Sequence, residues 1–286
     1  MITVKAPAKI NWSLNVFGKR DDGYHDILSL MQCITLSDFL VFEHSDTVDI
    51  ITDAPIPAGD NLVHKAMLLL KESSGVKEGA RITLRKEIPM AAGLGGGSSD
   101  AASTLMGLNL LWNLGLTENE LARIGETVGS DVPFFFHGPV SVIEGRGEIV
   151  SPVRLGISHA VLLVKPHIEI STAWAYAELD MVSTGRELTK KDNNIKLFCL
   201  ALEKGDFSLL SSIRRNDLEP LVIKRYPVVA EIREKLLERG ALFSSMSGSG
   251  PTVYGVFENE HGALKAMEHM LPHWCRIVRT VTGISE

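Results

Sequence analysis

Hydrophobic and polar residues alternate along much of the first half of the chain. Apolar side chains occupy every second position from Ile10 to Val16, and strand-like segments follow at 29–51 and 81–88. Because successive side chains of a strand point to opposite faces of the sheet, this spacing predicts strands. Helical spacing of apolar residues predicts three helices in the same half, at 61–74, 98–111 and 118–128.

The second half of the chain combines short apolar strands with helices. An unbroken apolar run at 160–164 predicts a buried strand, and two later strands are predicted at 252–257 and 276–282. The helices predicted here lie at 172–179, 195–202, 228–239 and 262–270. Strands separated by helices are typical of a split βαβ sandwich. We therefore predict an α+β protein with two domains, residues 1–157 and 158–286.

A glycine-rich loop connects the strand predicted at 81–88 to the helix that follows it. The loop contains Gly93, Gly95, Gly96 and Gly97, followed by Ser98 and Ser99. Glycine has no Cβ, so its backbone N–H can approach an anion closely, and the first turn of a helix adds unpaired N–H donors. The loop is therefore predicted to bind the phosphates of a nucleoside triphosphate.

The loop does not match the two best-known phosphate-binding motifs. Ser98 stands where a P-loop has its lysine, and Asp100 stands where a dinucleotide-binding motif has its third glycine. Judged by glycine content alone, the segment is equally typical of a tight turn in which Ser98 or Ser99 is an ordinary N-cap. Both interpretations stay open at this point.

Composition and charge exclude several classes of function. The chain has 286 residues, 45% of them hydrophobic, which is typical of a globular protein with one large or two ordinary domains. The net charge is −6 and no run of Lys or Arg occurs, so we expect neither a nucleic-acid partner nor a membrane partner. The lack of a long apolar run and of a signal peptide predicts a cytoplasmic protein. Three widely spaced cysteines, Cys33, Cys199 and Cys275, are predicted to be reduced thiols.

Three regions of the chain resemble the three motifs of the GHMP kinases. They are KAPAKINWSL at 5–14 with RDDGYH at 20–25, the glycine-rich loop at 89–102, and MSGSGPT at 246–252. Their order and spacing match over nearly the whole length. The resemblance implies the two-domain GHMP kinase fold, which is α+β. Its amino-terminal half is of a left-handed βαβ type, with a topology also found in ribosomal proteins, and its carboxy-terminal half is ferredoxin-like.

The resemblance also implies an activity, the transfer of a phosphoryl group from ATP to a small molecule, with Mg²⁺ as the metal. Within the family, the Tyr24–His25 pair and the GSDVPF segment at 129–134 point to one acceptor, methylerythritol linked to cytidine diphosphate. It would be phosphorylated on its 2-hydroxyl in non-mevalonate isoprenoid biosynthesis. Two alternatives are a GHMP kinase for homoserine, mevalonate or a sugar, and a nucleotide sensor without catalysis. The sequence does not distinguish a monomer from a homodimer.

The family's functional residues can be carried over to matching positions. Asp131 matches the catalytic aspartate that accepts or orients the hydroxyl proton, and Lys9 matches the lysine beside it, whose charge would favour the developing alkoxide. The residues expected to bind ATP are Pro89, Gly93, Leu94, Gly95, Gly96, Gly97, Ser98, Ser99, Asn61, Lys86, Gly248 and Ser249. Those expected to bind the acceptor are Asn11, Tyr24, His25, Thr172 and Tyr176. The hydroxyl of Ser98 or Ser99 is expected to bind Mg²⁺.

Ordinary structural roles are alternatives for several of these residues. Asn61 precedes a predicted helix and is better suited to cap it. Asp131, between Ser130 and a Val-Pro pair, is typical of a helix cap or an Asx-turn. Lys9 alone would be interpreted as a solvated strand residue, and Tyr176 as part of the core.

Overall fold

The computed structural model describes residues 1–182 and 195–282, and its strands form two sheets. In chain order the strands are β1 (Ile2–Lys19), β2 (His25–Ser45), β3 (Val48–Thr52), β4 (Gly79–Arg85), β5 (Val140–Gly145), β6 (Ile149–Pro152), β7 (Ala160–Lys165), β8 (Phe243–Met246), β9 (Val253–Phe257) and β10 (Trp274–Arg279). The helices are α1 (Leu62–Ser74), α2 (Gly96–Leu111), α3 (Glu118–Val128), α4 (Thr172–Val182), α5 (Ile195–Lys204), α6 (Phe207–Ile213), α7 (Glu219–Arg225), α8 (Val228–Glu238) and α9 (Glu260–Met267). Short 3-10 helices lie at Ala58–Asp60 and Pro133–Phe136.

The first sheet is built around a long antiparallel hairpin. β1 pairs with β2 along nearly its whole length, while the opposite edge of β2 pairs first with β5 and then with β4. β3 joins β4 in parallel, and β6 joins β5. The alternation predicted in β1 is confirmed by the buried apolar residues Ile10, Trp12, Leu14 and Val16. The polar residues between them, Lys9, Asn11, Ser13 and Asn15, are buried too, so this strand is covered on both faces.

The second sheet has the strand order β10-β7-β9-β8, and all neighbouring strands in it are antiparallel. Numbered within this half of the chain, the order is 4-1-3-2, as in a ferredoxin-like sheet, which confirms the predicted α+β topology. The sequence did not predict β5, β6, β8, α6 or α7. Each of these elements is short, with seven residues or fewer. β8, for example, has four residues that are all buried, so it shows no alternation of buried and exposed positions.

The chain passes from the first sheet to the second between Pro152 and Ala160. The domain boundary at 157/158 lies in this connection and stays a prediction. Hydrogen bonds join the two halves directly, since the Tyr254 hydroxyl donates to the backbone carbonyl of Asn11 at 3.0 Å and Gln32 donates to that of Val281 at 2.9 Å. Of the helices described here, none combines the length and the apolar character needed to cross a membrane.

Helix α2 packs tightly on the first sheet. The apolar stripe predicted for it is confirmed, since Ala101, Leu105 and Leu108 are fully buried. The packing is closest at Gly107, where an added Cβ would overlap the ring of Phe42 on β2. Phe42 is itself fully buried and has little room to move aside. The close approach of α2 to the sheet therefore requires glycine at this position.

Replacing Gly107 by alanine should destabilise the fold, although alanine is the better helix former. We expect the free energy of unfolding to fall by about 1–3 kcal/mol, the usual cost of overpacking a filled core. Gly262→Ala in α9 is the matched control, because a Cβ there has its nearest neighbour at 3.6 Å. The control should be neutral or raise stability by up to about 1 kcal/mol. Urea unfolding measures both changes, and equal stabilities of the two variants would contradict the packing argument.

Candidate active site

A cavity of about 490 Å³ lies where the two halves of the chain meet. The first half contributes Lys9 and Asn11 of β1, the glycine-rich loop and Asp131. The second half contributes α4 and the turn at 248–250. All residues predicted to act in catalysis or in binding line this cavity, except Ser99, Tyr24 and His25.

The glycine-rich loop ends in a helix start that exposes backbone donors. Gly95 has a φ of 70° and is the N-cap of α2, and no side chain caps the helix. The interpretation of Ser98 or Ser99 as the N-cap is therefore wrong, because the left-handed turn at Gly95 lets the helix begin before the serines. First-turn N–H groups have no intrahelical acceptor, so the residues at 96–98 present hydrogen-bond donors at the cavity wall.

The two serines of α2 have different surroundings. Ser98 lines the cavity, whereas Ser99 is fully buried and its Oγ has no hydrogen-bond partner in the part of the chain that the structure describes. Of the two serines expected to bind ATP or Mg²⁺, the geometry favours Ser98 and places Ser99 outside the cavity.

Lys9 and Asp131 form an ion pair at the cavity wall. Lys9 Nζ lies 3.3 Å from Asp131 Oδ2, with side chains that are 4% and 32% exposed. Asp131 lies in the turn before the 3-10 helix Pro133–Phe136, as the sequence predicted. The interpretation of Lys9 as a solvated strand residue is wrong, because α2 and the glycine-rich loop cover this face of β1. The pair brings together a positive charge and a carboxylate that solvent or a ligand can reach.

The side chain of Asn11 holds Lys9 in place. Its Oδ1 accepts a hydrogen bond from Lys9 Nζ at 2.6 Å, and its Nδ2 donates to Ser29 Oγ at 2.8 Å. Ser29 Oγ donates in turn to the carbonyl of Ser13 at 2.6 Å. The amide of Asn11 thus orients the lysine, and its expected contact with the acceptor stays a prediction.

A second lysine, Lys86, is mostly buried on the other side of the glycine-rich loop. Lys86 Nζ donates to Asp38 and, at 2.6 Å, to Asp100 Oδ2. Asp38 Oδ1 also accepts from the backbone N–H of Ile88 at 2.8 Å, which ties β2 to the start of the loop. Sequence reasoning missed Asp38 and Asp100. A carboxylate inside the apolar run of β2 was the signal that could have pointed to Asp38.

The charges of this cluster do not balance, since one ammonium faces two carboxylates. Burial opposes the charge on Lys86, but the two carboxylates outweigh it and raise the pKa of the lysine. Burial is also the largest influence on Asp100 and raises its pKa to about 7, with Lys86 acting against this and Asp38 adding to it. Asp100 Oδ1 has no hydrogen-bond partner among the described residues. Asp100 is therefore the group of this cluster that takes up a proton near neutral pH.

The residues expected to bind the acceptor form a separate aromatic group beside the cavity. Tyr176 lines the cavity and stacks on His25, with ring centroids 5.1 Å apart. His25 is buried, and its Nε2 lies 2.6 Å from Asp180 Oδ1. Tyr24 is 49% exposed, and the Arg146 guanidinium lies 5.1 Å from its ring centroid. Tyr24 and His25 thus flank the cavity without lining it, and Asp180 and Arg146 are partners that sequence reasoning did not name.

The second glycine turn closes the cavity from the opposite side. Gly248 and Ser249 line it, and Ser249 Oγ lies 2.9 Å from Thr172 Oγ1 at the start of α4. Ser247 Oγ donates to the carbonyl of Gly93 at 2.9 Å, and a Cβ on Gly93 would overlap the carbonyl oxygen of Ser247. The two glycine segments, 150 residues apart in sequence, are thus in direct contact.

Asn61 has the structural role that its position favours. Its Oδ1 accepts from the backbone N–H of Val63 at 3.0 Å and caps α1. Asn61 also lines the cavity, as do Leu62 and part of the preceding segment, 56–60. Capping therefore fixes Asn61 at the end of the cavity where Lys86 lies.

Asp100→Asn should flatten the dependence of stability on pH. With a pKa near 3.8 in the unfolded chain and about 7 in the folded one, Asp100 binds more protons in the folded state between these values. Its contribution therefore favours folding at low pH and is lost as the pH rises toward 7. From about pH 5 to 8, the free energy of unfolding of the wild type should fall relative to that of the variant, by at most a few kcal/mol, since one pKa unit corresponds to about 1.4 kcal/mol.

Chemical unfolding across this pH range measures the effect. Asp46→Asn is the control, because Asp46 is exposed in the turn between β2 and β3 and should leave the profile unchanged. Parallel profiles of the wild type and Asp100→Asn would contradict the proposed protonation of Asp100.

Comparison with known proteins places this site in a family. The family model for the GHMP kinases N terminal domain matches residues 61–139, and the model for the GHMP kinases C terminal domain matches residues 200–275. A 4-diphosphocytidyl-2-C-methyl-D-erythritol kinase of Thermodesulfovibrio yellowstonii is 48% identical over 282 residues, which are 98% of each chain. A kinase of the same name from Caldanaerobacter subterraneus is 45% identical over 93% of this chain and 91% of its own.

Solved structures agree with these relatives. The crystal structure of a 4-(cytidine 5'-diphospho)-2C-methyl-D-erythritol kinase superposes with a TM-score of 0.83 at 30% identity, covering 99% of this chain and all of the other. A homoserine kinase from Cytophaga hutchinsonii gives a TM-score of 0.76 at 21% identity, covering 99% and 95% of the two chains, and shares the fold alone. The cavity, its lysine–aspartate pair and these matches lead to one conclusion: the chain belongs to the GHMP kinase family.

Proposed function

We propose that the protein transfers the γ-phosphoryl group of ATP to the 2-hydroxyl of 4-(cytidine 5'-diphospho)-2-C-methyl-D-erythritol. The observation that carries this proposal is the Lys9–Asp131 pair, which lies at 3.3 Å in the same cavity as the glycine cradle. The relatives that are 48% and 45% identical are named as kinases of this compound. A nucleotide sensor would not need the ion pair, and a homoserine kinase resembles this chain only in fold.

The glycine-rich loop is the proposed phosphate cradle. The N–H groups at 96–98 would bind the phosphates of ATP, and the turn at 248–249 would approach them from the second half. Pro89, Gly93, Leu94 and Gly95 shape the loop, which leaves no room for a side chain at Gly93. Asn61 and Lys86, at one end of the cavity, would lie near the adenine.

The ion pair supplies the chemistry of the transfer. When the acceptor oxygen bonds to the γ-phosphorus and the bond to the leaving oxygen of ADP breaks, the hydroxyl proton passes to the Asp131 carboxylate. The ammonium of Lys9, held by Asn11, stabilises the negative charge that develops on the acceptor oxygen. Because Asp131 is the more exposed partner, it is the group that can reach the hydroxyl.

Mg²⁺ fits the oxygen donors of the cavity. Within residues 1–182 and 195–282, no group of three His, Cys, Asp or Glu side chains could hold a metal by itself. Mg²⁺ prefers oxygen ligands and is commonly bound by one or two protein groups together with phosphates and waters. The hydroxyl of Ser98 is the proposed protein ligand, and phosphate oxygens and waters would complete the coordination. The ion would supply charge neutralisation at the phosphates.

The cytidine end of the acceptor is proposed to bind at the aromatic group. Tyr176 and Tyr24 offer ring faces on which a base can stack, and His25 offers a polar edge. Thr172, whose hydroxyl is held by Ser249, would contact the diphosphate. A charged metabolite of this kind suits an enzyme of the cytoplasm, and we propose this localisation. We also propose that the protein has no nucleic-acid partner and that its two domains divide at 157/158.

A panel of acceptors tests the proposed function. The purified protein is assayed with ATP and, separately, with the cytidylated methylerythritol, homoserine, mevalonate and galactose. We expect turnover on the first compound alone, because the aromatic group suits a base that the others lack. We also expect turnover to stop in excess chelator and to return when Mg²⁺ is added. Turnover on another acceptor in preference to the first, or full activity in chelator, would contradict the corresponding part of the proposal.

Asp131→Ala should abolish transfer while leaving ATP binding almost intact. The expected loss of kcat is about 100-fold or more, because the proton acceptor is removed. The affinity for ATP, measured by calorimetry, should change less than about threefold, since the cradle lies on other segments. Asp46→Ala removes an exposed carboxylate elsewhere and serves as the control. A kcat within tenfold of the wild type would remove Asp131 from the mechanism.

A further inference from the structure

A short segment of the second half is hydrogen-bonded to the strand that carries the catalytic lysine. Between α6 and α7, the carbonyl of Arg215 accepts from the backbone N–H of Leu14 at 2.8 Å, and the N–H of Asp217 donates to the carbonyl of Leu14 at 2.9 Å. Asp217 Oδ2 accepts from the N–H of Val16 at 2.8 Å. The segment therefore has a fixed position relative to β1.

Asn216, in the middle of this segment, has a side chain that is saturated with hydrogen bonds. Its Nδ2 donates to the carbonyl of Met246 at 3.0 Å and to that of Gly248 at 2.9 Å. Its Oδ1 accepts from the N–H of Leu218 at 3.1 Å. The residue is buried. Only an amide of this length offers two donors and one acceptor in this arrangement.

The two carbonyls bound by Asn216, those of Met246 and Gly248, lie at the start of the second glycine turn. In a trans peptide the C=O and the following N–H point in opposite directions. A Gly248 carbonyl that is held on Asn216 therefore turns the N–H of Ser249 away from Asn216. Among the described residues, neither Gly248 nor Ser249 has an acceptor for its backbone N–H.

This turn lies directly against the catalytic pair. A Cβ on Gly248 would lie 3.2 Å from Asn11 Oδ1 and 3.4 Å from Lys9 Nζ. Gly248 has a φ of 57°, a conformation that glycine adopts readily and that other residues adopt only with strain. The position of the turn thus decides whether its free donors face a ligand in the cavity.

We propose that Asn216 is a positioning residue, which orients the backbone N–H of Ser249 toward the phosphates of ATP. Asn216 does not contact the nucleotide itself. It acts by holding the second glycine turn in place beside β1 at the wall of the cavity. The inference rests on the proposed use of ATP. It concerns the donor site and is independent of which acceptor is phosphorylated.

The test compares Asn216→Ala with Asn109→Ala. Asn109 makes the same kind of side-chain clamp, with its amide bonded to the carbonyl and N–H of Leu116 at 3.0 Å each, but it lies outside the cavity. Calorimetry gives the affinity for ATP without the acceptor, steady-state assays give kcat and both KM values, and thermal unfolding gives Tm. Asn216→Asp, nearly the same size but without donors, provides a second variant if the alanine variant does not fold.

We expect Asn216→Ala to weaken ATP binding and raise the KM for ATP by about tenfold or more, since a misplaced N–H loses its hydrogen bond to a charged phosphate. The KM for the acceptor should rise less than the KM for ATP, because the turn reaches the acceptor only through the hydrogen bond between Ser249 and Thr172. Asn109→Ala should lower Tm with no effect on ATP binding. Folded Asn216 variants with wild-type ATP affinity, or an equal loss in Asn109→Ala, would overturn the proposal.

The same experiment separates this inference from the proposed function. If the wild type binds ATP but does not phosphorylate the cytidylated acceptor, the proposed acceptor fails, and the comparison of ATP affinities still decides the role of Asn216. If the wild type does not bind ATP, both proposals fail.

Discussion

The structure of the site depends on keeping one ammonium group, that of Lys9, almost completely out of water. A buried charge is costly unless it is paired and hydrogen-bonded, and Lys9 has both an amide oxygen and a carboxylate within reach. The amide oxygen belongs to Asn11 on the same strand, and the carboxylate belongs to Asp131, in a turn much later in the chain. The buried polar face of β1 follows from this requirement, because the partner of the lysine and the support of that partner, Ser29, must be inside as well.

In the cluster of Asp38, Lys86 and Asp100 the charges are likewise paired and hydrogen-bonded. Two carboxylates surround one ammonium, and the excess negative charge is relieved by the raised pKa of Asp100. An apolar core of similar volume is often as stable as such a cluster, so stability alone does not explain it. Its position explains more, because Lys86 Nζ lies beside Gly96 at the first turn of α2 and Asp38 binds the backbone at the start of the loop. Lys9 and Lys86 thus flank the glycine cradle.

Local patterns in the sequence predict the long strands, the apolar stripe of α2 and the existence of the cradle. They fail where a residue's role is decided by partners far away in the chain. The start of α2 depends on the left-handed Gly95, which outweighs the capping tendency of Ser98. The roles of Asn11 and Asn216 depend on contacts with Lys9, with Ser29 and with the second glycine turn. No local sequence pattern predicts such contacts. Resemblance to a family placed Lys9 and Asp131 together, whereas Lys9 taken alone would be interpreted as a solvated strand residue.

The cradle is rigid because its parts are bonded to each other and not only to the ligand. Ser247 Oγ donates to Gly93 in the first glycine segment and accepts from the backbone N–H of Asn11 at 3.3 Å. One hydroxyl therefore joins the loop, the catalytic strand and the second turn. Donors that are already aimed before the phosphates arrive need no reorganisation during the reaction, and this is where electrostatic catalysis gains most. A cavity at the junction of two sheets is then an advantage, since each half supplies donors that the other half holds in place.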